Sequence, residues 1–116
     1  MHFVVTRHDK PNSLALRLSE RPGHLRYLET VIDRIVFGGA LLGQDGKQNG
    51  SVLVIDVHDM ASATAFADAD PYVEAGLFAV TSVRYFAMGR GCHRRRFDPA
   101  RNIRLDGRDR GQASRI

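Results

Sequence analysis

The segment ADADPYVEAGLF, residues 67–78, decides how the second half of the chain folds. It predicts the end of a helix, a rigid Asp-Pro corner and then the start of a strand. Asp70 precedes a proline, which pushes its backbone out of the helical region into an extended conformation. Pro71 fixes its own backbone and offers no amide hydrogen. A carboxylate at such a corner could orient a partner group, or it could simply bind its own backbone, as acids in turns commonly do.

Four apolar, β-prone segments lie before and after this corner. Residues 2–8 and 51–58 are rich in β-branched side chains, and apolar runs cover residues 35–42 and 78–86. Each of these segments predicts a strand, because the type of residue and the length both fit. A polar, glycine-rich connection over residues 43–50 predicts a hairpin between the second and third strands.

The first helical region contains a proline. Leucine and isoleucine recur at helical spacing between residues 14 and 32, and Pro22 interrupts the pattern. We therefore predict a short helical turn over residues 12–18 and a main helix over residues 20–34. Ser19 is then the N-cap of the main helix, and Pro22 lies in its first turn, where a missing amide costs little.

A second helix completes the order of elements. Asp59 can cap a helix that runs through Ala69, and we expect its inward face to carry Ala61, Ala65, Phe66 and Ala69. The order β-α-β-β-α-β, with both helices on one face of a four-stranded antiparallel sheet, defines a ferredoxin-like α+β sandwich. The open face of the sheet would expose alternating apolar residues, which a monomer rarely tolerates. We therefore predict a homodimer formed through that face.

Charge divides the chain into two parts. The formal net charge is +4. Residues 1–88 hold 8 basic and 10 acidic side chains, for −2, and residues 89–116 hold 9 arginines and 3 aspartates, for +6. A segment so poor in large apolar residues cannot offset its ordering entropy, so residues 88–116 are predicted to be an Arg-rich tail, flexible or packed on a partner subunit. Its arginines could touch phosphates, but Phe97 is the only aromatic residue there for base stacking, which argues against a nucleic-acid binder.

Several other classes of protein are not supported. No run of about 18 apolar residues exists, so no membrane span is expected. The N-terminal residues lack the features of a secretory signal, so we expect a cytoplasmic protein. Cys92 is the single cysteine and permits no internal disulfide. The five histidines show no paired ligand spacing, and no nucleotide-binding fingerprint occurs, so neither a metal nor another cofactor is expected.

His24 is the best candidate for chemistry. An imidazole can take and return a proton near neutral pH. A position early in a helix disfavours the imidazolium, and a nearby carboxylate would fix the tautomer. Asp70 could provide that carboxylate if the second helix ends beside the start of the first. From the residues alone, however, a partly buried surface histidine is the simpler interpretation.

Two segments together resemble the YciI-like, or YCII-related, family of small dimeric proteins. The resemblance covers about residues 1–87. Its matching features are Arg-Pro-x-His at 21–24, Ala-Asp-Ala-Asp-Pro-Tyr at 67–72, the strand start Gly50-Ser51 and the aromatic strand end Tyr85-Phe86. The sequence departs from the family at 38–40, where Gly-Gly-Ala replaces the common Ala-Gly-Pro, so the resemblance does not extend to the shape of the pocket.

The resemblance implies roles for individual residues. It implies that His24 and Asp70 form a catalytic pair in a dimeric ferredoxin-like protein. Three further residues are candidate substrate contacts, each with a structural alternative. Arg21 could bind an anionic group or pair with a neighbouring acid. Ser51 could bond a substrate oxygen or simply begin a strand, and Tyr72 could line the pocket or pack the corner.

The resemblance also implies a class of reaction, because one related member is similar to a dehydrochlorinase acting on a hydroxylated aromatic ring, and the same fold resembles that of muconolactone isomerases. We predict a cofactor-independent small-molecule enzyme, of lyase, isomerase or dehydrochlorinase type, acting on a small cyclic or enolisable compound. His24 would be the general base and then the acid, and Asp70 would orient it. The alternative is a non-catalytic dimeric protein that binds a small ligand or serves as an accessory. A third interpretation, nucleic-acid contact, rests on the Arg-rich tail alone.

Overall fold

Strands and helices follow one another in the predicted order. The computed structural model describes residues 1–89 and the backbone of residues 97–98 and 103–104. The elements are β1 (His2–Asp9), α1 (Leu14–Thr30), a 3-10 turn (Ile32–Arg34), β2 (Ile35–Leu42), β3 (Gln48–Asp56), α2 (Met60–Asp68), α3 (Pro71–Glu74), β4 (Phe78–Tyr85), β5 (Phe97–Asp98) and β6 (Ile103–Arg104).

One four-stranded sheet forms the centre of the fold. Its strand order is β2-β3-β1-β4, with every neighbouring pair antiparallel. This confirms the ferredoxin-like α+β prediction. Strands β5 and β6 pair antiparallel as a separate two-stranded sheet. The predicted flexibility or partner contact of the tail concerns residues that lie outside the described part of the chain. No helix in the described residues is long and apolar enough to cross a membrane.

The register of β1 places a cation at the end of an apolar row. Successive side chains of a strand point to opposite faces, so residues 3, 5 and 7 share one face. Val5 lies opposite Leu53 on β3 and Val83 on β4, and Arg7 lies opposite Ser51. The core on this face consists of Phe3, Val5, Val31, Ile55, Ala63, Phe66 and Ala67. Arg7 is as buried as these apolar residues, at 3% exposure.

The first helix differs from the sequence prediction. α1 is one continuous helix, Leu14–Thr30, with Pro22 in its interior, so the division into residues 12–18 and 20–34 is wrong. Ser19 is not an N-cap. Its hydroxyl donates to the carbonyl of Leu16 at 3.0 Å, as a residue inside a helix can.

Tertiary contacts on both sides of Pro22 explain the continuous helix. Proline removes one hydrogen bond of the helix and crowds the preceding turn. Before it, Arg17 is bonded to Asp9 of β1, and after it, the hydroxyl of Tyr27 donates to the carbonyl of Phe66 at 2.7 Å. Packing of this kind contributes most of the stability of helices in proteins, and it outweighs the local cost of the proline.

The second helix begins as predicted and buries Phe66 as expected, but the alanines expected beside Phe66 do not face inward. The carboxylate of Asp59 accepts the backbone N–H of Ser62 at 2.8 Å, and this bond lowers the pKa of Asp59. The buried residues are Ala63, Phe66 and Ala67, whereas Ala61, Ala65 and Ala69 are exposed. Alanines occur on every side of this helix, so the apolar pattern does not determine which side of the helix faces the core.

Candidate active site

A cavity of about 330 Å³ opens between α1 and the neighbouring strands β2 and β3. Its size lies at the lower end of the range for small-molecule pockets. One wall is apolar and includes Leu25, Leu28, Ile32, Leu53 and Phe66. The lining also contains all five residues that the sequence singled out, which are Arg21, His24, Ser51, Asp70 and Tyr72.

His24 and Asp70 are in direct contact. The Nδ1 atom of His24 lies 3.0 Å from Oδ1 and 2.9 Å from Oδ2 of Asp70. A carboxylate can only accept, so Nδ1 carries a hydrogen, and in the neutral imidazole the lone pair is then on Nε2. The side chain of His24 on α1 is 18% exposed, and Nε2 makes no hydrogen bond to a described residue. The free nitrogen is therefore the atom that can exchange a proton with a molecule in the cavity.

The corner around Asp70 explains how the carboxylate is held. The backbone of Asp70 is extended, as Pro71 requires, and its side chain accepts the N–H of Tyr72 at 2.9 Å, capping α3. Arg7 donates to Oδ2 of Asp70 at 3.3 Å, and its second terminal nitrogen donates to the carbonyl of Ala67. Asp70 thus binds its own backbone and also orients a partner, which satisfies both interpretations of the sequence.

Tyr72 forms the wall behind the imidazole. Its ring stacks on His24 with centroids 4.2 Å apart and planes inclined by 18°. Tyr72 also packs with its ring nearly perpendicular to that of Phe78. The central carbon of the Arg17 guanidinium lies 5.0 Å from the centre of the Tyr72 ring. Burial raises the pKa of Tyr72, so the ring stays neutral at physiological pH. The ring therefore limits the rotation of His24 without adding charge.

Arg17 is fixed by Asp9 in a two-pronged ion pair. Nε and a terminal nitrogen of Arg17 bond the two carboxylate oxygens at 2.7 and 2.8 Å. This hydrogen bonding raises the pKa of Arg17 although burial opposes it. Such two-pronged geometry is rigid, so the ion pair holds the Arg17 guanidinium against the ring of Tyr72.

Arg21 and Ser51 face the cavity from different elements. Arg21 is exposed at its rim on α1, and Ser51 is partly buried on β3. Gly38 lets β2 lie close to β3, because a Cβ added at this position would lie 2.8 Å from the backbone carbonyl oxygen of Val52. Residues 38–40 line the cavity, so the departure from the family pattern lies at the site.

Three residues of the site were missed from the sequence: Arg7, Arg17 and Asp9. Arg7 carried a usable signal, because it continues the alternating apolar positions of Phe3 and Val5 with a charge. The Asp9–Arg17 pair joins the end of β1 to α1, and only the spatial arrangement of the two elements reveals it. Among the described residues, no group of three or more His, Cys, Asp or Glu side chains could hold a metal ion.

The fold and this corner define a class of small α+β proteins, and comparisons identify the family. The sequence model of the YCII-related domain matches residues 1–87. Protein YciI of Escherichia coli O6:H1 is 36% identical over 94 residues, covering 74% of this chain and 96% of the relative. An uncharacterized protein of Haemophilus influenzae is 31% identical with the same coverage. The chain belongs to the YCII-related family, which confirms the resemblance drawn from its motifs.

A solved structure shares the fold closely. It is 5-chloro-2-hydroxyhydroquinone dehydrochlorinase (TftG) from Burkholderia phenoliruptrix AC1100, in complex with 2,5-dihydroxybenzoquinone. The TM-score is 0.72 and the identity 35%, with 78% of this chain and 97% of that chain covered. This fold therefore supports an enzyme with a small-molecule ligand in at least one similar protein.

Proposed function

We propose that this protein is a cofactor-independent enzyme that transfers a proton on a small ring or enolisable compound. The observation that carries the proposal is the bond between His24 Nδ1 and the buried Asp70, which leaves Nε2 free at the wall of a cavity. The likeness to a dehydrochlorinase supports an elimination or an isomerisation as the reaction.

The proposed reaction needs no external oxidant or reductant. Nε2 of His24 removes a proton from a carbon or oxygen of the substrate, and the electron pair of that bond forms a new double bond. In an elimination, the displaced pair leaves with a group such as chloride. In an isomerisation, His24 returns the proton to a different atom. Asp70 holds Nδ1–H throughout and stabilises the imidazolium formed in the first step.

The other candidate contacts take supporting roles in this proposal. Arg21 at the rim attracts an anionic oxygen of the substrate, and Ser51 donates a hydrogen bond to a second oxygen. Tyr72 keeps the imidazole in its plane. The apolar wall around Leu28 and Leu53 excludes water and packs against the ring of the substrate.

Turnover of a chlorinated hydroquinone tests the proposal. We expect the full-length protein to release chloride from 5-chloro-2-hydroxyhydroquinone with saturation kinetics, measured by a chloride electrode against a protein-free control. We expect 2,5-dihydroxybenzoquinone to inhibit competitively, since it is the ligand of the similar enzyme. Saturable binding of both compounds without any chloride release would instead favour the ligand-binding protein.

We also propose that the chain forms a homodimer through the sheet face opposite the helices. Val4 and Val52 lie on that face and are partly exposed, and Phe37 on β2 and Val80 on β4 are 48% and 56% exposed. Apolar surface of this kind is stabilised when a second copy covers it.

The oligomeric state is measured directly by light scattering after size-exclusion chromatography. We expect twice the mass of the chain for the wild type. Val4→Lys places an ammonium in the middle of the open face and is expected to give a monomer. Ala61→Lys, an exposed position on α2, is the matched control and should stay dimeric. A monomeric wild type at micromolar concentration contradicts the proposal.

A further inference from the structure

Arg7 is a buried cation whose contribution to the site is not explained by packing. Its side chain is 4% exposed, and burial lowers the pKa of its guanidinium although Asp70 opposes this. The guanidinium lies 4.6 Å from the ring centre of Phe78. Its Nε has no hydrogen-bond partner among the described residues. An apolar side chain would continue the row of β1 without leaving a buried donor unsatisfied, so Arg7 calls for another explanation.

The contact between His24 and Asp70 raises a difficulty that Arg7 resolves. A buried carboxylate beside an imidazole favours the doubly protonated imidazolium. In that state both ring nitrogens are donors, so no lone pair remains to accept a proton from a substrate. A general base needs the carboxylate for orientation but needs its charge to be compensated.

Arg7 lies where it can compensate that charge. Its terminal nitrogen and Nδ1 of His24 bond the same oxygen, Oδ2 of Asp70, at 3.3 and 2.9 Å. The guanidinium and the imidazole are therefore within about 6 Å of each other, a separation at which unit charges influence protonation strongly. Since both side chains are largely withdrawn from water, solvent screens this interaction weakly.

We propose that Arg7 is a positioning residue that balances the charge of Asp70, so that His24 is kept as a neutral imidazole with Nε2 unprotonated. This inference rests on the proposed function, because a neutral Nε2 matters for catalysis only if His24 is the base. It adds Arg7 to the pair of Asp70 and His24, so that three residues act together in the proposed proton transfer.

The other charged and titratable groups around His24 do not supply this balance. Arg17 is already paired with Asp9, and Arg21 is exposed to solvent. Glu20 precedes His24 by one helical turn and would favour the imidazolium. The groups to be considered are Arg7 from β1, Glu20, Arg17, Arg21 and Tyr27 from α1, Asp68 from the end of α2, which also attracts Arg7, and Asp70 and Tyr72 from the corner.

The test is an NMR titration of the His24 ring in wild type, Arg7→Met and Arg7→Lys, which needs no substrate. We expect His24 in Arg7→Met to gain its second ring proton at a pH higher by about one unit, which is a tenfold change in that equilibrium. Arg7→Lys keeps the charge and is expected to restore most of the wild-type midpoint. Arg26→Met removes an exposed charge from the same helix and should leave the midpoint unchanged.

The outcomes separate this inference from the proposed function. An unchanged or lower midpoint in folded Arg7→Met overturns the inference, as does an equal shift in Arg7→Lys. If Arg7→Met does not fold, Arg7→Gln makes the same change of charge and can still donate to Asp70. A raised midpoint together with full turnover in His24→Gln would uphold the charge balance and overturn the proposed role of His24 as base.

Discussion

Replacing His24 by glutamine is expected to lower turnover by a factor of about 10²–10⁴, the usual contribution of a positioned general base. Glutamine keeps a similar volume and can still donate to Asp70, so the corner should retain its geometry. It has no group that accepts a proton near neutral pH. The decrease should appear in kcat, measured as the rate of chloride release at saturating 5-chloro-2-hydroxyhydroquinone, while KM changes little.

The matched control is another histidine of the same domain. His58, in the connection between β3 and α2, is exposed and belongs neither to the cavity lining nor to a strand of the sheet. His58→Gln is expected to keep the wild-type rate. A His24→Gln protein that binds 2,5-dihydroxybenzoquinone and retains turnover within a few-fold would show that His24 only shapes the pocket.

The corner at Asp70 could be predicted from the sequence because its cause is local. A proline acts on the residue before it in any fold, so the extended backbone of Asp70 follows from Pro71 alone. The strands likewise follow from runs of a few residues, and the structure gives β2 the predicted limits. Elements whose determinants lie within one segment of the chain are the ones that pattern analysis recovers.

The first helix could not be predicted by the same means. The local rule at Pro22 favours a break, and the contacts that overrule it involve residues far apart in sequence. Arg17 reaches back to Asp9, and Tyr27 reaches across to a residue of α2, 39 positions later. A short segment of the sequence therefore never contains both Tyr27 and Phe66.

The site shows the same division between local and distant causes. His24 and Asp70 are 46 residues apart, so the sequence offered their contact as one possibility, and the family resemblance then implied it. Arg7 was visible as a charge in an apolar row, but the sequence gives no partner for it. Its partner is known only once β1 and the end of α2 lie side by side in the structure.

Asp70→Ala is expected to lower the free energy of unfolding by about 3–5 kcal/mol, the usual cost of removing one partner of a buried ion pair. The side chain of Asp70 is 8% exposed, and its carboxylate accepts from Arg7, from the N–H of Tyr72 and from His24. Alanine leaves the guanidinium of Arg7 buried without its counter-charge and removes the cap of α3. Urea denaturation at one fixed protein concentration measures the change, because unfolding of an oligomer depends on concentration.

Two further variants distinguish the effect of losing the Arg7–Asp70 ion pair from the effect of removing an acidic side chain in general. Glu29→Ala removes an exposed acid from the last turn of α1, outside the cavity lining, and should change stability by no more than about 0.5 kcal/mol. The double variant Arg7→Met/Asp70→Ala should be less destabilised than the sum of the single changes, because no charge is then left unpaired in the interior. Strict additivity would mean that water screens Arg7 from Asp70 in solution, and the charge balance proposed for His24 would lose its physical basis.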